Sequence, residues 1–158
     1  MQKAMYSVLL VIHSAFRWLV LGSVLYGIYR GGRGYSRRVS FTRFDNSIRH
    51  TTATIAHIQL LIGYILYFNS PLVSYFRAHF TEARHQFDLL FFGLIHILLM
   101  TLAIVFITVG SSVSKRMDSD REKFKTMTIW FSLALVIILT AIPWPFSPLA
   151  NRPYIRTF

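Results

Sequence analysis

Four apolar blocks, separated by polar and mostly basic stretches, organise this chain. They run over residues 4–29, 51–68, 89–110 and 127–146. A helix needs about 20 apolar residues to cross a bilayer. The first three blocks meet that length or come close to it. The fourth is uninterrupted only to residue 142, and Pro143-Trp144-Pro145-Phe146 extends its apolar reach to the interface. The pattern predicts an all-α fold: an integral membrane four-helix bundle in a single transmembrane domain over residues 1–158.

The connections carry the punctuation. In the first, residues 30–49, Gly31-Gly32 and Gly34 are expected to break the helix. Asn69-Ser70-Pro71 ends the second block. Residues 71–88 mix aromatic and charged side chains, which fits an amphipathic segment on the outer membrane surface. Trp130 and Trp144 sit near opposite ends of the fourth block and fit an aromatic belt. No internal repeat or low-complexity segment stands out.

Charge then orients the chain. The net charge is +11, with 17 Lys and Arg in 158 residues. Eleven of these lie in the first and third connections, five in the termini and second connection, and one, Arg17, inside a block. By the positive-inside rule the first and third connections face the cytoplasm. Both termini are then outside, periplasmic if the membrane is a bacterial inner membrane. The first block is longer than a typical signal h-region and has Arg17 in its middle, so a retained helix is expected. The basic charge lies in membrane connections without any nucleic-acid-binding signature, so nucleic acid is not an expected partner. Cysteine is absent, which excludes disulfides, thiolate metal sites and covalent c-type haem attachment.

The candidate chemistry lies inside the blocks. His13, His57 and His96 each sit deep in one. Ionisable residues at that depth are expensive and are functional candidates by default. His13 and Arg17 are four apart and share a helix face. No carboxylate lies in any block to pair with Arg17, so it either bonds a backbone carbonyl or faces an anion, such as a haem propionate or a polar quinone head. Measured from the block centres, His13 and His96 both lie about 6 Å toward the outside, and His57 lies roughly 10 Å deeper. Gly93, His96 and Met100 are expected on one face; Met100 reads as core rather than ligand. Gln59 points away from His57 and is expected to bond a neighbouring helix. His50, His79 and His85 read as interfacial.

Two imidazoles on two helices could fill both axial positions of one haem iron, an arrangement suited to electron transfer. His13 and His96 are the preferred pair. His57 is an alternative ligand, or bonds a propionate or quinone. About one haem b per chain is expected, with a quinol and a partner redox protein as electron donor and acceptor. Two alternatives stay open. One is a non-haem site in which His13, His57 and His96 hold a single Zn, Cu or Fe ion. The other is a non-catalytic subunit packed among the subunits of a larger membrane complex. An autonomous enzyme is not indicated, because no acid–base pair lies within a block.

The chain also resembles a family of short bacterial four-span membrane proteins labelled cytochrome b-like. The stretches that carry the resemblance begin with His13-Ser14-Ala15-Phe16-Arg17-Trp18 and His57-Ile58-Gln59-Leu60-Leu61-Ile62-Gly63. Tyr67-Phe68-Asn69-Ser70-Pro71-Leu72-Val73 and the His96 block follow. Ser114-Lys115-Arg116, Lys123-Phe124-Lys125 and Ile142-Pro143-Trp144-Pro145-Phe146 complete the set in order. The resemblance implies haem b, with His13, His57, His96 and Arg17 as candidate cofactor-binding residues.

Overall fold

The structure, a computed structural model, describes residues 2–146 and 152–154. These form an all-helical bundle. Helix α1 spans Gln2–Arg37 and α2 spans Arg43–Asn69. Two short helices follow, α3 (Pro71–Ala78) and α4 (Phe80–Ala83). The third long rod begins as α5 (Phe87–Leu90), widens into a π-helical turn at Phe91–Ile95, and continues as α6 (His96–Arg116). Helix α7 runs over Asp120–Ala141. Four rods, Ala4–Arg37, Arg43–Asn69, Phe87–Arg116 and Asp120–Ala141, are long and apolar enough to cross a membrane. Each packs on its neighbours in the ring order α1, α2, α6, α7, which leaves α1 diagonal to α6.

Helix α1 does not break where its glycines suggested. It continues to Arg37, and Arg38 then takes a positive φ of 52° as the chain leaves the helix. The glycines form a packing seam against α7. A Cβ at Gly27 would lie 2.9 Å from the Phe131 ring, and one at Gly34 would lie 2.5 Å from the Phe124 ring. One at Gly31 would come within 3.2 Å of the Phe124 carbonyl. Small residues spaced along one face let two helices approach closely, and here that gain outweighs their poor helix propensity. At about 1.5 Å per residue α1 is over 50 Å long, well beyond the hydrocarbon thickness, so its basic last turns reach past the apolar layer.

Two arginines of the first connection tie helices together. Arg30 donates through Nε (3.0 Å) and Nη2 (2.6 Å) to Asp45 Oδ1, while Asp45 Oδ2 accepts from the Thr42 amide and hydroxyl. Thr42 Oγ1 in turn accepts from the Asp45 amide, which completes a capping box at the start of α2. Arg49 is buried and donates through Nη1 to the Ser111 carbonyl (2.7 Å) and hydroxyl (2.5 Å), joining α2 to α6.

Residues 71–83 form α3 and α4, with Val73 and Phe76 turned inward. Helix α7 stops at Ala141, so residues 142–146 do not extend it as a span. Trp144 instead packs at 6.0 Å from Trp18 and 6.4 Å from Tyr154, and its indole N–H donates to the Leu139 carbonyl. Trp130 lies in the α6–α7 interface over Gly110 rather than in a belt: a Cβ there would sit 2.8 Å from its ring.

Candidate functional site

A cavity of about 450 Å³ occupies the half of the bundle opposite the basic connections. That volume falls within the range of small-molecule and cofactor sites, about 300–1,000 Å³. Helix α1 lines it with Tyr6, Leu10, His13, Arg17 and Val20, a stripe at helical spacing. Helix α2 contributes Gln59, Gly63 and Tyr67; α6 contributes His96, Met100 and Ile104. Ile138 and Ile142 close the α7 side, and Arg152 and Pro153 lie at the rim. His13 and His96 thus meet one space from diagonal helices.

His96 is held by the end of α7. Its Nδ1 lies 2.8 Å from the Ala141 carbonyl, one of the last carbonyls of that helix, which have no partner along the helix. A carbonyl can only accept, so Nδ1 carries the proton and Nε2 keeps its lone pair. The π-helical turn sits directly before this histidine, with the His96 amide reaching back to the Phe91 carbonyl. Such a turn resets the phase of the helix that follows it, and π-turns concentrate at functional sites. The Tyr67 hydroxyl donates to the Gly93 carbonyl within it at 2.8 Å.

Gly93 itself does not line the cavity. Its open side is filled by Phe76 of α3, and a Cβ there would lie within 2.9 Å of that ring. The expectation that Gly93 shares a face with His96 and Met100 fails, because the widened turn breaks the spacing; Gly93 serves helix packing instead. The glycine beside a cavity histidine is Gly63, where a Cβ would come 3.2 Å from His13 Cε1.

Three buried side-chain atoms among the described residues have no hydrogen-bond partner: His13 Nδ1, Arg17 Nε and Gln59 Oε1. All three residues line this cavity. An unmet buried polar atom costs about 1–3 kcal/mol, so three around one space mark a site that a polar ligand would complete. Arg17 also donates to the Tyr154 carbonyl at 2.5 Å, and Trp18 donates to the same oxygen at 3.3 Å. The backbone-carbonyl reading of Arg17 thus has a counterpart, and the residue also borders the cavity. The Gln59 amide donates to the His13 carbonyl at 3.0 Å, the interhelical bond expected of it.

His57 is not part of this cavity. It borders a second space, a cleft of about 490 Å³ between α2 and α6 at the basic end. Its Nδ1 is 2.7 Å from the Ala53 carbonyl and its Nε2 is 3.1 Å from Thr108 Oγ1, so both ring nitrogens are engaged. Among the described residues, no three His, Cys, Asp or Glu side chains gather into a metal-holding group. The joint site of His13, His57 and His96 on one ion therefore has no counterpart, because His57 faces a different space.

Arg152 and Gly63 were not singled out from the sequence. Arg152 stands over the Phe92 ring at 4.7 Å, and its amide donates to the Pro143 carbonyl at 3.2 Å. Its place at the cavity is marked by contacts with Pro143 and Phe92 that no local pattern announces.

A four-span α-helical membrane protein with a polar-rimmed internal cavity is the class that fold and site define. Comparison with protein-family models, curated proteins and solved structures gives no match to this chain.

Proposed function

We propose that this chain is a membrane haem b protein that carries electrons, in which His13 and His96 would hold one haem in the α1–α6 cavity. The observation that carries this reading is the convergence of two histidines and every unpartnered buried side-chain atom found among the described residues on one cavity. The residues fit the group. His96 offers Nε2 because Ala141 holds Nδ1. His13 has a buried nitrogen without a partner, and Gly63 lets its ring pack closely against α2. Arg17 and Arg152 supply positive charge at the cavity, where propionates need it, and no carboxylate lines it.

Bound haem would supply one-electron transfer, and two imidazole ligands favour that over oxygen activation. The chain's own residues fix the ligand tautomer, screen the anionic edge with Arg17, and exclude water with Leu10, Ile104, Ile138 and Ile142. A membrane quinol is a suitable donor, since the helices lining the cavity are long and apolar enough to cross a membrane. The distribution of Lys and Arg supports both termini facing outside, which in a bacterial inner membrane is the periplasm.

A dithionite-reduced minus oxidised absorption spectrum of the full chain in detergent, purified with haem supplied, tests this reading. A low-spin b-type signal is expected. Absence of any haem signal would overturn it and leave the role of a packing subunit in a larger complex.

A further inference from the structure

The cleft at the other end of the bundle carries a second site. We propose that it binds the phosphate of an anionic phospholipid headgroup. Its walls present Lys115 and Arg116 from α6 and His50 and His57 from α2, with no carboxylate among them. Among the described residues, neither Lys115 nor Arg116 has a hydrogen-bond or ion-pair partner, although Asp45 and Asp120 elsewhere at this end do pair with Arg30 and Lys123. Hydroxyls of Thr54 and Ser112 add donors suited to phosphate oxygens.

The floor of the cleft is fixed. Arg49 is only 5% exposed, and its bonds to Ser111 and Asn46 clamp α2 against α6, so the loose cations stand on a rigid base. A lipid fits better than free phosphate because the polar stripe runs into an apolar one. On α2, His50, Thr54 and His57 continue at helical spacing to Leu61, which is 62% exposed. On α6, Lys115, Ser112 and Thr108 continue to Val105, 47% exposed, and then toward Leu98, 57% exposed. A headgroup in the cleft would lay its acyl chains along this groove. The site also sits where basic charge meets the leaflet rich in anionic lipids.

The test is native mass spectrometry of the full chain in neutral detergent micelles supplied with phosphatidylglycerol, phosphatidylcholine or inorganic phosphate. Retention of phosphatidylglycerol over the other two is expected. Each cation removed should weaken it about fivefold, the equivalent of about 1 kcal/mol per charge near the surface. Lys115→Gln with Arg116→Gln should therefore lose most of the adduct. Arg33→Gln with Arg37→Gln, which removes equal charge from exposed positions at the same end, should keep it. Circular dichroism establishes that both pairs fold. Equal retention of phosphatidylcholine, unchanged binding in the Lys115/Arg116 pair, or equal loss in the Arg33/Arg37 pair would overturn the site. Inorganic phosphate bound as well as the lipid would overturn the lipid assignment.

Discussion

The two halves of this bundle solve the same packing problem in opposite ways. Toward the basic end the interior is filled: Val24, Ala56, Ile107, Phe124, Met127 and Phe131 are all fully buried. Glycines on α1 bring α7 close, Asp45 closes a capping box, and Arg49 bridges to α6. Toward the other end the same four rods leave about 450 Å³ between them and surround it with polar atoms lacking partners. Close packing is the rule in protein interiors, so a hollow of that size with unmet nitrogens reads as a binding site. The histidines draw the same contrast. His57 has both nitrogens engaged, whereas His96 has one engaged and one available beside the cavity.

The largest effect should separate those histidines. His13→Ala or His96→Ala should abolish or convert the low-spin haem spectrum, while His57→Ala and His79→Ala should leave it intact. The filled half should answer in stability instead. Asp45→Ala breaks the ion pair and the cap together and should cost about 2 kcal/mol, read as a lower midpoint of thermal unfolding in detergent. That figure is below the cost of a fully enclosed pair because the Arg30 side chain is 25% exposed. The haem spectrum of the fraction that remains folded should be unchanged.

Gly63→Val sharpens the boundary between the halves. Its Cβ would press on the His13 ring, so haem content should fall partway while helicity by circular dichroism holds. Arg17→Gln should weaken haem retention about tenfold, the scale of one lost charge-assisted hydrogen bond, with both histidine ligands still in place. The smallest effect concerns orientation alone: a cysteine at Arg37 should be labelled from the cytoplasmic side only, without any change in stability or spectrum.

The sequence made the four rods legible because membrane spans need long apolar runs, and residue spacing alone paired His13 with His96, which line one cavity. It also set His57 apart in depth. What it hid depends on partners distant in the chain. The glycines at 31 and 34 read as breakers because their value lies in Phe124, some ninety residues on. Gly93 read as sharing a face with His96 because the π-helical turn at Phe91–Ile95 has no signature in hydrophobic periodicity. Arg152 read as a terminal charge, since its position depends on contacts with Pro143 and the distant Phe92.

The most direct test is a pyridine haemochrome determination of haem per chain in the wild type, His96→Ala and His57→Ala, purified side by side with haem supplied. About one haem is expected in the wild type and in His57→Ala, and a loss in His96→Ala. Equal haem in all three, or a loss confined to His57→Ala, would contradict the assignment of the cavity.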